Sequence, residues 1–95
     1  MFRVSKTEDR LRTVITVDGQ LSRESVDVVE SCCDQGAARG KPVHLLLREV
    51  TAIDQAGRAL LGRLAAKGVR LIASDLYASY VVRTLTSARH AGGRT

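Results

Sequence analysis

The segment from Val43 to Leu64 constrains the fold more tightly than any other stretch of the chain. Val43-His44-Leu45-Leu46-Leu47 is a short, almost continuous apolar run, the pattern of a strand covered on both faces in a mainly parallel sheet. A few residues later Leu60, Leu61 and Leu64 recur at helical spacing. Asp54 stands between the two periodicities. A carboxylate there can accept hydrogen bonds from the orphan amides of a first helical turn and faces the positive end of the helix dipole. The segment Val50 to Leu61 therefore reads as a strand-to-helix corner with Asp54 as the N-cap.

Ordinary helix and strand signals surround this corner. Phe2-Arg3-Val4-Ser5 is a short strand, and Arg10 to Asp18 a second one, with Leu11, Thr13, Ile15 and Val17 on one side. Asp18-Gly19 then turns the chain, and Ser22 caps a helix to about Ala38. On that helix Val26, Val29, Cys33 and Ala37 line one face, while Glu24, Asp27, Glu30 and Asp34 form a solvated acidic ridge. Gly36 and Gly40 frame its end, and Lys41-Pro42 leads into the apolar strand. The second helix spans Gln55 to Lys67 and stops at Gly68, and Val69 to Ala73 forms the next strand, completing a strand-helix-strand unit with a right-handed crossover. Asp75 caps a third helix to about Thr86 that buries Leu76, Val81 and Leu85 or their neighbours. Residues 87–95 are small, polar and glycine-containing, the composition of a flexible tail.

Composition narrows the function classes. Ninety-five residues make one domain, and 44% hydrophobic with 26% charged residues is ordinary for a globular chain. No run approaches the length of a membrane span, and the N-terminal Arg3, Lys6, Glu8, Asp9 and Arg10 exclude a signal-peptide core, so the expected location is the cytoplasm without membrane insertion. The net charge is +5. The excess lies after residue 36 and is spread over several elements, with no interleaved aromatics to stack bases, so nucleic acid is not the expected partner. Cys32 and Cys33 are adjacent, which disfavours both a zinc pair and a disulfide. Their side chains diverge by about 100° on a helix, and at least one should be a buried, reduced thiol. A vicinal dithiol sensor has no support beyond the pair itself. His44 has no partner at metal-ligand spacing, so neither a metal nor another cofactor is expected. Ser22, Ser25, Ser74, Asp75 and His44 are triad residue types without triad spacing, and the glycines form no phosphate-binding fingerprint, so catalysis is not expected.

Taken together, Gly19-Gln20-Leu21 after the second strand, Val43 to Thr51, Ile53-Asp54-Gln55-Ala56-Gly57-Arg58-Ala59-Leu60-Leu61 and Gly68-Val69-Arg70-Leu71 resemble a STAS domain, the domain of anti-sigma factor antagonists and sulfate transporters. The resemblance covers residues 2–86 and implies an α/β fold. Its mixed four- to five-stranded sheet would carry helices mainly on one face, in the order β-β-α-β-α-β-α. A STAS-like domain over 1–86 with a tail over 87–95 is the implied organisation. The resemblance also implies a bacterial regulatory module that binds a protein, an anti-sigma factor kinase or another regulator, and is switched by phosphorylation of a serine following the corner aspartate. Asp54 matches that aspartate, but Gln55 occupies the serine position and an amide cannot take a phosphoryl group. Ser22 and Leu46 fall where the family commonly carries aspartates around the same site. The implied module is therefore non-enzymatic and not phospho-switched at Gln55.

The expected partner surface is the exposed side of the second helix. Its core face is Gly57, Leu60, Leu61 and Leu64, leaving Gln55, Ala59, Gly62 and Ala66 outward, flanked by Arg58 and Arg63. With Asp54, these make the candidate binding set Asp54, Gln55, Arg58, Ala59, Gly62 and Arg63. Small residues permit close backbone approach and arginines grip acidic groups, although alanine is also the best helix former and needs no partner. A homodimer is a further reading of the surface. Two alternatives remain at this stage, a STAS subunit docking on the ATPase of a lipid-transport ABC complex and a small-ligand or nucleotide sensor. The sensor would use first-turn amides beside Gln55 and Gly57. Asp54 opposes it by placing a carboxylate there already.

Overall fold

The computed structural model describes residues 2–93, with the side chains of Leu76 and 86–93 outside the described residues. The elements run β1 (Phe2–Glu8), β2 (Thr13–Leu21), α1 (Arg23–Ala38), β3 (Val43–Ile53), α2 (Gln55–Ala66), β4 (Arg70–Ala73) and α3 (Leu76–Gly93). The order is the one the sequence implies. One four-stranded sheet has the spatial order β1-β2-β3-β4, with β1 antiparallel to β2 and both other pairs parallel.

Both parallel steps move the same way across the sheet, so right-handed crossovers put α1 and α2 on the same face. α3 packs beside them, against α2, β3 and β4. The core lies between this helix layer and one sheet face, where Ile15, Val17, Leu45 and Leu47 meet Val29, Cys33, Leu60, Leu61, Leu64, Ala78 and Val81. Each of those leucines and isoleucines is sealed from water, and burying one such side chain contributes about 1.5–3 kcal/mol.

Among the described residues no helix packs on the opposite sheet face. His44 and Leu46 alternate with the buried Val43, Leu45 and Leu47, pair with Val14 and Thr16, and are only partly covered. The apolar run therefore belongs to a strand covered on one face, not two. Leu71 and Ala73 pack on the core, while Ile72 is 37% exposed on the open side.

Other boundaries also shift. β2 starts at Thr13, and Leu11 is solvent-exposed in a turn whose Leu11 and Arg12 N–H groups donate to Asp9 Oδ1 at 2.7 and 2.9 Å. Gly19 does not turn the chain. Its φ of 98° serves an irregular register within β2, between shifts at Val17/Asp18 and Gly19/Gln20, and the strand continues to Leu21. On α1 the core-facing positions are Ser25, Val29, Cys33 and Gly36, so Gly36 takes the place expected for Ala37, which is exposed. The approach there is close, since a Cβ would lie 3.2 Å from both Thr13 Cγ2 and Val43 Cγ2 and those side chains would have to give by a few tenths of an ångström. α3 remains helical through Gly93, beyond the expected end at Thr86, in keeping with the helix-forming Ala88, Arg89 and Ala91.

Candidate functional site

The C-terminal ends of β2 and β3 lie side by side, so the N-termini of α1 and α2 emerge at the same end of the sheet. Asp54 joins them. Its Oδ1 accepts the Gly57 N–H at 2.8 Å, the expected cap of α2, and its Oδ2 accepts the N–H of Arg23, the first residue of α1, at 3.2 Å. One carboxylate thus satisfies orphan amides of two helices and faces two positive dipole ends. Its own N–H donates to the Leu21 carbonyl at 3.2 Å, which fixes the corner to the end of β2.

Gly57 is what allows α2 to sit this close. A Cβ at that position would lie 2.3 Å from Leu21 O and 3.0 Å from Ile53 Cγ2. At the start of α1, Ser25 Oγ accepts the Ser22 N–H at 2.9 Å and is within donating distance of the carbonyls of Ser22 (3.0 Å) and Gln20 (3.2 Å). The serine pair thereby holds the α1 terminus in place beside Asp54.

Gln55 is the first residue of α2 and is exposed, as are Arg58, Ala59 and Ala66, while Gly62 is half-buried with open space where a Cβ would stand. The corner and one helix face therefore bring together Asp54, Gln55, Arg58, Ala59 and Gly62. Arg63 is turned aside. Its Nε and Nη2 donate to Glu30 Oε2 and Oε1, both at 3.1 Å, across the α1–α2 contact. Lys67 adds bonds to Glu30 and Asp34, each at 3.2 Å. These bonds hold the Glu30 carboxyl below its ordinary value of 4.5, the Arg63 guanidinium contributing most. Glu30 and Asp34 are thus partners of α2 and not merely a solvated ridge, whereas Glu24 and Asp27 remain exposed.

Ser22 lies at this corner, next to the Arg23 amide that Asp54 caps. Leu46 does not: it is in the middle of β3 on the open sheet face, between Thr16 and Ile72. The departures from the family pattern at Gln55 and Ser22 share a corner, and the one at Leu46 is separate. His44 is on the open sheet face while Ser25 is buried in the first turn of α1, so these two triad residue types stand on opposite faces of the sheet. Cys33 is buried and its thiol is pushed up to about 12, chiefly by desolvation. Among the described residues no three His, Cys, Asp or Glu side chains are grouped to hold a metal, and no helix is long and apolar enough to cross a membrane.

Sequence reasoning missed Tyr77. Its hydroxyl accepts the Ile53 N–H at 3.0 Å, immediately before Asp54, and nothing in local periodicity links a residue of α3 to the end of β3.

No family model and no curated protein matches the chain. Solved structures do. An anti-sigma factor antagonist from Mycobacterium paratuberculosis superposes with a TM-score of 0.76 over 96% of this chain and 82% of its own, at 16% identity. Mglu matches at 0.59 over 76% of this chain and 19% of its own, at 25% identity. An uncharacterized protein with a SpoIIAA-like fold from Shewanella loihica PV-4 matches at 0.57 over 87% and 75%, at 12% identity. With the strand and helix order above, these likenesses give the chain the STAS-like fold found in an anti-sigma factor antagonist.

Proposed function

We propose that this chain is a non-enzymatic regulatory adaptor of the bacterial cytoplasm that binds a protein partner through the α2 corner and is not switched by phosphorylation at Gln55. The observation that carries the reading is the position of Gln55. It stands exposed at the first residue of α2, beside a rigidly capped Asp54, where an exchangeable charge would act on both helix termini. A glutamine keeps that position neutral and chemically inert, so the surface it borders has one state.

The contact surface is Asp54, Gln55, Arg58, Ala59 and Gly62. The outward side of α2 carries only small residues at Ala59 and Gly62, and beyond the local helix backbone no described atom lies within 4 Å of a Cβ built at Gly62. Arg63 is already engaged by Glu30, so the cationic contact falls to Arg58. A partner helix or loop presenting an acidic group beside a small-residue surface fits this arrangement.

The test is capture from native lysate with the purified chain, run beside Gln55→Ser, Ala59→Glu and Gly62→Glu. A histidine-kinase-like anti-sigma factor is expected on the wild type and on Gln55→Ser, and is expected to be lost from both glutamate variants. Added ATP should label Gln55→Ser alone. Recovery of a transport ATPase in its place, or undiminished capture by both folded glutamate variants, would overturn the reading.

A further inference from the structure

β3 is longer than the strand beside it. β4 pairs only with His44 to Leu47, while β3 continues to Ile53, so residues 48–53 have no neighbouring strand on that side among the described residues. Backbone groups along such an edge must find other partners or water. Ser74 serves the near end: its N–H donates to Leu47 O at 3.1 Å, and its hydroxyl lies 2.8 Å from Arg48 O. Tyr77 serves the far end. Its hydroxyl accepts the Ile53 N–H at 3.0 Å and donates to the Ile53 carbonyl at 3.4 Å, so one phenol takes the place of an absent strand at the residue preceding Asp54.

We infer that Tyr77 is a positioning residue for the Asp54–Gln55 corner, acting through Ile53 and tying the geometry of α2's first turn to α3. The role is separable from packing. α3 meets the core through Ala78 and Val81, with Val82 and Leu85 packed against it, whereas Tyr77 is 41% exposed. α3 is itself anchored at the same end, where Asp75 Oδ1 accepts the Ala78 N–H at 2.7 Å. A shift of α3 therefore pulls on the Ile53 backbone, and through it on the carboxylate that caps both α1 and α2. The functional consequence rests on the corner being the partner-facing surface; the physical coupling does not.

Tyr77→Phe keeps the ring and removes the bonds. Amide hydrogen exchange of the free protein should accelerate about tenfold at Ile53, the scale of one lost hydrogen bond, with smaller increases at Ala56 and Gly57. Exchange at Ile15 and Leu45 in the core should stay as in the wild type. Tyr80→Phe, at a residue 66% exposed, is the control and should change none of these amides. Unchanged exchange at Ile53, or equal acceleration at Ile15 and Leu45, would overturn the inference. Accelerated corner exchange with unaltered capture of the anti-sigma factor would uphold the positioning role and remove the corner from the partner interface.

Discussion

The same substitution at two positions of one helix should move stability in opposite directions. Gly57→Ala places a methyl group 2.3 Å from the Leu21 carbonyl oxygen, and Cβ contacts under 3.0 Å essentially do not occur. The obstacle is backbone, so no side chain can swing away. Relief requires α2 to lift from the end of β2, which stretches the Asp54 N–H bond to the same carbonyl and the Asp54 cap on residue 57. Overpacking of this kind costs about 1–3 kcal/mol, and a weakened hydrogen bond adds about 1 kcal/mol. The helix propensity of alanine offsets up to about 1 kcal/mol. The net is a loss of about 2 kcal/mol, or a fall in Tm of about 10 °C for a domain of this size. At Gly62 nothing beyond the local helix backbone lies within 4 Å of the added methyl, and φ there is not positive. Gly62→Ala should therefore gain up to about 1 kcal/mol. Urea unfolding followed by far-ultraviolet circular dichroism measures both. Two shifts of the same sign, or a Gly57→Ala variant as stable as the wild type, would refute the close-approach argument.

Three further outcomes follow from the core and the helix clasp. Thr13 Oγ1 is buried without a hydrogen-bond partner, so Thr13→Val should raise stability by about 1 kcal/mol in the same urea assay. Cys33, buried with its thiol raised to about 12, should resist a disulfide reagent at pH 8 that labels the half-buried Cys32, and should react only on unfolding, as counted by mass spectrometry. Glu30 has a lowered pKa in the folded state, so the stability it contributes is complete above the unfolded-chain value of 4.5 and is lost as pH falls through the lower folded value. Glu30→Gln should flatten the acid limb of a pH–stability profile in that window and leave the slope above pH 6 unchanged.

Local rules made much of this fold legible. The order of elements follows from the switch between periods of two and 3.6, from Ser22, Asp54 and Asp75 at helix starts, and from Gly68, whose φ of 93° ends the α2 region. The failures occurred where local signals are ambiguous. Leu45-Leu46-Leu47 hides its period because an apolar residue also occupies the open face, and composition alone cannot distinguish one covered face from two. Asp18-Gly19 has turn chemistry, but here the positive-φ glycine absorbs an irregularity inside a strand. The continuation of β3 from Arg48 to Ile53 was concealed by the same irregularities, which expose Arg48, Glu49, Thr51 and Ala52 and break the alternation.

At the site, the limit of legibility is the difference between what one helix requires and what two share. A carboxylate before a leucine-patterned helix predicts the bond to Gly57, three residues away, because a capped first turn is a local object. It does not predict the bond to Arg23, whose distance along the chain is bridged only by the parallel pairing of β2 and β3. That second bond changes what the corner means. Asp54 and Gly57 form a joint on which two helices and a strand end depend, so substitutions there alter folding and recognition together. Gln55, Ala59 and Gly62 stand on the outer side of the joint, exposed or open above, where a side chain can change without moving it. The two sets are interleaved within nine residues of sequence yet differ in kind. Only the outward set can report on a partner, because only there does loss of binding carry no hidden contribution from loss of structure.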